Sequence, residues 1–167
     1  MAIVELGFKW HNNLMQKLIL SILIGYSPSF ISGFFKFDTT NWYSKLTKPS
    51  FSPPSWIFGV VWPILYFLIG LSLYFFWKTD ADFEEKKLGY TFFAIQLLLN
   101  ACFTPIFFAY KSLLGGFVIC LLLSIFVLLT ILEFYKIAPL SAYLLIPYLL
   151  WDIFATFLSF KILLLNS

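Results

Sequence analysis

Arginine is absent from this chain, and charge of either sign is scarce: charged residues make up 11% of 167. The eleven cations are all lysine, so no planar guanidinium fork is available for bidentate clamping of a phosphate. That argues against a carrier of phosphorylated substrates. A net charge of +3, thinly spread, excludes a nucleic-acid binder. The single histidine, His11, cannot build a histidine metal site or a catalytic triad. Two cysteines, Cys102 and Cys120, lie within apolar runs and exclude a disulfide scaffold. There is no glycine-rich phosphate loop, no internal repeat, and no pair of inverted halves of the kind many transporters carry. No metal site and no cofactor is expected.

What is there is apolar. Hydrophobic residues make up 61% of the chain and aromatics 22%, with 22 Phe, 9 Tyr and 6 Trp, and the mean hydropathy is +0.91. A soluble domain is near half apolar and about a quarter charged, so too little polar surface exists to cover a water-facing globule. The composition belongs in a bilayer. A spanning helix needs about 20 mostly apolar residues, and runs of that kind fall at 18–35, 57–77, 88–110, 112–132 and 138–163. The fold class expected is all-α: one integral membrane domain, 1–167, built as a five-helix transmembrane bundle. The run after Lys17 lacks a small-x-small cleavage pattern and is read as a retained helix. Lys9, Lys17, Lys78, Lys86, Lys87 and Lys136 on one side balance Lys36, Lys45, Lys48, Lys111 and Lys161 on the other, so the positive-inside rule leaves orientation open.

Most connections are short, which makes neighbouring helices antiparallel. The exception is 36–56, rich in Pro and Ser and carrying Trp42, Tyr43, Phe51 and Trp56. Two readings stand: an aromatic belt at the membrane interface, or a lid folded over a cavity.

Polar residues within the spans mark where chemistry is possible. Gln96, Asn100, Phe103 and Phe107 recur along one face of the third span. Amides in lipid need partners inside the protein, so this face points into the bundle, as interhelical glue or as a cavity wall. Trp62 and Tyr66 lie one turn apart in the second span, with Gly59 and Gly70 nearby to allow close helix approach. In the fifth, Trp151, Ala155 and Leu158 share a face. Together these residues suit a flat, mostly apolar ligand held between rings. Asp152 is the one acid within a span and belongs to a stripe with Tyr148, Thr156 and Ser159. A carboxylate there is a functional candidate by default, here for a pH-sensitive step in ligand affinity; the alternative is a hydrogen-bonded clamp between helices or at a dimer seam.

Read in order, Trp42-Tyr43, Leu46, Lys48-Pro49, Pro53-Pro54-Ser55-Trp56, Val61-Trp62, Leu65-Tyr66 and Trp77 resemble the first half of the tryptophan-rich sensory protein family. This is the TspO/MBR family, which includes the mitochondrial translocator protein or peripheral benzodiazepine receptor. Gln96-Leu97, Leu99-Asn100, Pro105-Ile106-Phe107-Phe108, Pro147-Tyr148-Leu149, Trp151, Phe154-Ala155 and Leu158 resemble its second half. The resemblance implies a five-helix bundle, often a homodimer, with a pocket capped by the long first loop. It implies binding of porphyrins such as protoporphyrin IX, of sterols in some members, and of benzodiazepine-type ligands. Tyr43, Trp62, Asn100, Trp151, Ala155 and Leu158 match pocket positions, and Pro53 and Pro54 match the loop shape. Phe103 stands where many members have Trp, Ser159 replaces a common Asn, and Asp152 replaces an uncharged residue. The sterol-recognition pattern is unmet, since Phe160-Lys161 lacks its Tyr.

The expected function is therefore porphyrin binding in a bacterial or organellar membrane, in sensing, buffering or transport, with a flat hydrophobic small molecule, membrane lipid and a second copy as partners. Two alternatives remain: light- and oxygen-dependent porphyrin breakdown with Trp62 and Trp151 as the catalytic pair, or a sterol or lipid transporter. Because no general acid–base set is present, such photochemistry would use the photosensitising ligand itself, oriented by the protein.

Overall fold

The computed structural model of the chain describes residues 2–34 and 39–167, with the side chains of all of these except 2–13, 31, 34 and 39–41. Phe35, Lys36 and the side chains of Lys9 and His11 therefore lie outside the described residues. Among these residues every regular element is helical: α1 (Ala2–Phe34), α2 (Thr39–Lys45), α3 (Ser55–Trp77), α4 (Phe83–Thr104), a π-helical turn (Pro105–Ala109), α5 (Leu113–Ile137) and α6 (Pro139–Asn166). Helices suit the composition, because a backbone in lipid must satisfy its hydrogen bonds within its own segment. Four helices are long and apolar enough to cross a membrane: Ser55–Trp77, Phe83–Ala109, Leu113–Ile137 and Pro139–Asn166.

Local chemistry sets the boundaries. α4 opens five residues before the apolar run, where Asp82 accepts from the Glu85 amide at 2.9 Å and Glu85 accepts from the Asp82 amide at 3.0 Å. This reciprocal capping box lets the helix start in the polar segment. Pro105 has no N–H to continue the α-helical pattern, and the chain widens to a π turn in which Tyr110 N donates to Pro105 O at 3.0 Å. Lys111, at φ 51°, then reverses the chain, and Ser112 caps α5 by accepting from the Gly115 amide at 3.0 Å. The segment 36–56 is not wholly irregular, since α2 forms within it.

The long helices close into a ring. α1 packs on α3, α3 on α6, α6 on α5, α5 on α4, and α4 on α1. The interior is filled by Leu65, Ile69, Leu73, Phe76, Phe93, Leu123, Val127, Phe134 and Leu145. Phe76 and Phe134 stack at 3.8 Å, in space that Gly89 leaves open: a Cβ there would lie 2.9 Å from the Phe76 ring. The exposed large side chains, such as Leu98, Leu132 and Leu150, are the outward, lipid-facing set.

The α1–α3 crossing brings backbone against backbone. A Cβ on Gly25 would stand 2.6 Å from Tyr66 O, and one on Gly70 2.7 Å from Ile22 Cα. Small residues let helix backbones meet in this way. Gly59, expected to do the same, has nothing within 4 Å of where its Cβ would be. It faces outward, six residues before the interior stripe that begins at Leu65, and Gly33 is likewise open.

Candidate functional site

Within the ring, α3, α4 and α6 bring four polar side chains into one chain of hydrogen bonds. Tyr66 OH donates to Asn100 Oδ1 at 3.1 Å, and Asn100 Nδ2 donates to Tyr148 OH at 2.8 Å. Tyr148 OH donates in turn to Gln96 Oε1 at 3.1 Å. Tyr148 is fully buried, and Gln96, Asn100 and Tyr66 are at most 8% exposed. In an apolar interior each of these groups would cost free energy if unpaired; joined in sequence, they lock three helices at one level. The relay ends in a group with nothing to hold, because Gln96 Nε2 is buried without a partner. Trp151 Nε1 is a second buried donor in the same condition.

Rings surround this relay. Trp62 stacks on Tyr66 at 5.3 Å and meets Tyr148 edge-on at 6.3 Å. Tyr26 of α1 approaches Tyr66 at 5.7 Å and donates its hydroxyl to Pro63 O at 2.7 Å. Trp151 follows Tyr148 by one turn of α6, and its ring meets Phe58 at 5.7 Å and Phe154 at 5.5 Å. Trp62 thus meets the Tyr148 ring from α3, Trp151 follows Tyr148 along α6, and the two tryptophans have no direct ring contact with each other among the described residues.

Phe103 and Phe107 stack at 5.3 Å, and Phe107 is pressed inward over Gly116, where a Cβ would come within 2.3 Å of it. Trp42 and Tyr43 rest on Phe107 at 5.5 and 6.0 Å, and on Phe108 at 6.5 and 5.7 Å. Burial holds the Tyr43 phenol above its ordinary pKa of 10.0, against a hydrogen bond with Ser52 that pulls it down, so Tyr43 stays neutral at physiological pH. Farther along, Phe51 stacks on Phe157 at 5.4 Å, and Pro53 and Pro54 lead into α3, with Ile57 N donating to Pro54 O at 3.0 Å.

The loop is also fastened by an amide. Asn166 Oδ1 accepts from Thr47 N at 2.9 Å, and Asn166 Nδ2 donates to Thr47 O at 2.9 Å and to Ile162 O at 2.7 Å. One side chain at the end of α6 thereby satisfies both backbone groups of a loop residue.

Asp152 sits apart, in the seam between α5 and α6, and is 1% exposed. Its carboxylate accepts from Ser124 Oγ at 2.6 Å; Ser124 and Thr156 hydroxyls lie 3.1 Å apart, and Thr156 donates back to Asp152 O at 2.9 Å. Cys120 and Ser159 are 3.8 Å apart along the same seam. Outside it, Phe117, Leu121, Ser124, Ile153, Thr156, Phe157 and Phe160 line a shallow apolar groove of about 340 Å³.

The structure thus brings Trp62, Tyr66 and Asn100 together, gathers Tyr43, Phe103 and Phe107 in a neighbouring aromatic cluster, and places Trp151 beside Tyr148. Leu158 is buried and Ala155 half-buried on the Trp151 side of α6. Sequence reading left Asn100 as interhelical glue or as a tip on a cavity wall; its carbonyl and amide are both engaged between helices. It missed Tyr148 as the centre of the relay and Ser124 as the partner of Asp152. A buried-side phenol one turn from the lone acid was the available signal. Nothing local announces the pairing of Thr47 with Asn166.

Comparison with known proteins gives the family. Residues 18–165 match the TspO/MBR family. The chain is similar to the "Tryptophan-rich protein TspO" of Archaeoglobus fulgidus, 41% identical over 90% of this chain and 97% of that one. It is 40% identical to the protein of the same name from Chlorobaculum tepidum over 90% and 98% of the two chains. With the human "Translocator protein" it shares 40% identity over 71% of each chain. Four apolar helices of spanning length, and a match reaching from α1 to the last turn of α6, make this chain a multi-pass membrane protein of the TspO/MBR family.

Proposed function

We propose that the chain binds porphyrins of the protoporphyrin IX type, and related flat hydrophobic molecules, between its helices beneath the 39–54 segment. In this reading α1 is the fifth span, the five helices form one domain, and the unit works as a homodimer in sensing, buffering or transport. The observation that carries it is the convergence of Trp62, Tyr66 and Asn100, all placed on helices that meet at Tyr148. A stacked ring pair offers a face for a tetrapyrrole, and the unpartnered donors of Gln96 and Trp151 suit ligand oxygen or nitrogen acceptors. Tyr43, Phe103 and Phe107 form the side toward the loop, Pro53 and Pro54 shape it, and Ala155 and Leu158 leave room beside Trp151.

Titration of protoporphyrin IX in the dark, followed by tryptophan quenching, tests this reading. Saturable binding at micromolar concentration, weakened about tenfold or more in the Trp62→Phe, Trp151→Phe double variant, is the expected result for loss of two ring contacts. Linear quenching indifferent to both substitutions reports partition into micelles and ends the proposal. The stacking of Trp62 on Tyr66 also favours a second reading, photo-oxidative porphyrin breakdown with the two tryptophans as redox partners. Illuminated porphyrin lost no faster with wild type than with the double variant removes it.

Asp152 gives that affinity a pH dependence in this proposal. The ionisable groups facing it are the Cys120 thiol across the seam and the Tyr148 phenol on its own helix, and Ser124 and Thr156 hold it directly. Asp152→Asn is expected to flatten the profile of affinity against pH. An unchanged profile makes the residue a clamp between α5 and α6 and nothing more.

A further inference from the structure

Among the described residues the two ends of the bundle differ in charge, and the difference falls where the loop is. At the far end, Lys17, Lys78, Lys86, Lys87 and Lys136 are matched by Asp80, Asp82, Glu84, Glu85 and Glu133. Both ion pairs of the described residues are there, Lys87–Glu84 at 3.2 Å and Lys136–Glu133 at 2.7 Å. At the loop end stand Lys45, Lys48, Lys111 and Lys161, with no acid among the described residues. The contacts of Trp42 with Phe107 and of Thr47 with Asn166 fix these segments at one end.

Two of the four lysines are held against rings that carry the loop. Lys48 Nζ lies 4.0 Å above the Tyr43 ring, and Lys161 Nζ 5.6 Å from that of Phe157. Tyr43 packs on Phe107, and Phe157 stacks with Phe51, so each cation sits at a seam between loop and bundle. A ring face steadies an ammonium without neutralising it. Both side chains are half-buried, which raises the pull of each charge above that of a free surface lysine. Cations over aromatic rings with no acid beside them among the described residues also concentrate anions from solution.

We propose that Lys48 and Lys161 form a carboxylate-binding rim at the loop end of the ligand site. The ligand class is then a flat apolar ring system bearing acidic groups on one edge. The ring system enters between the helices while the acids stay at the rim, where water and lysine both reach them. This assignment rests on the binding site proposed above and adds the polarity and direction of its occupant. The same cations could be satisfied by the phosphate of an anionic lipid, and the test separates the two sources.

The experiment uses the full chain in phosphatidylcholine nanodiscs, and again in discs containing phosphatidylglycerol. Protoporphyrin IX and its dimethyl ester are titrated in the dark against wild type, Lys48→Gln/Lys161→Gln, and Lys78→Gln/Lys87→Gln at the far end. The rim variant is expected to lose about five- to tenfold in affinity for the diacid, the size of two partly exposed charge pairs. Its affinity for the ester stays at the wild-type value, and the far-end variant changes neither. Equal binding of diacid and ester by wild type, or equal losses for both in the rim variant, overturns the rim. A loss seen only in phosphatidylglycerol discs assigns the lysines to lipid headgroups and overturns it too. Linear quenching by both probes condemns the site itself, whereas saturable binding of both without preference condemns the rim alone.

Discussion

Leucine in place of Gly70 drives α1 off α3. The new side chain would have to occupy space held by Ile22 Cα and Ser21 O, at 2.7 and 3.0 Å from its first carbon. Backbone atoms on both sides cannot rotate away, so the helices must separate, and with them the contact of Tyr26 with Tyr66 and Pro63. Overpacking of this kind costs about 3 kcal/mol, or a fall of about 10 °C in thermal midpoint for a chain of this size. Gly25→Leu should match it, since its Cβ would meet Tyr66 O and Gly70 N. Gly59→Ala supplies the opposite sign: with open space around it, helix propensity alone predicts a gain of about 0.5–1 kcal/mol. Thermal unfolding in detergent reads all three. Equal midpoints for Gly70→Leu and wild type would mean that α1 does not cross α3 there.

Asn100→Leu removes the middle of the buried relay and leaves Tyr66 OH without its acceptor and Tyr148 OH without its donor. Two buried phenols lose partners at once, a cost of about 2–5 kcal/mol. The same change frees the Tyr66 ring beneath Trp62, so porphyrin affinity in the dark titration is expected to fall about tenfold or more. Asn100→Asp keeps an acceptor for Tyr66 while giving up donation to Tyr148, and should fall between wild type and leucine in both readouts. If Asn100→Leu melts and binds like wild type, the relay contributes neither stability nor a site.

Why part of this was readable from residues alone follows from the physics of lipid. Apolar runs of spanning length must become helices, so α3 to α6 were visible at once, and Gln96 and Asn100 had to face inward because nothing outside could satisfy them. Periodicity also placed Trp62 with Tyr66, and Trp151 with Leu158. Partners across helices were not readable. Which hydroxyl meets Asp152, and which phenol takes the Asn100 amide, depends on the rotation of one helix against another, set by contacts such as Gly25 on Gly70 that no single segment encodes. Gly59 shows the limit from the other side: a small residue permits close approach without requiring it. The π turn after Pro105 shifts the register between Phe103 and Phe107, which straight-helix counting ignores. The count of lysines, six on one side against five on the other, hid the acids that among the described residues gather at one end only.

The grip of Asn166 on Thr47 joins residues 119 positions apart. During synthesis the first loop emerges and reaches its side of the membrane well before α6 exists. Its aromatic residues must then wait, loosely held, until the last helix has inserted and its final turn arrives alongside. Closure of the loop against the bundle therefore waits on α6, after the earlier spans are already in place.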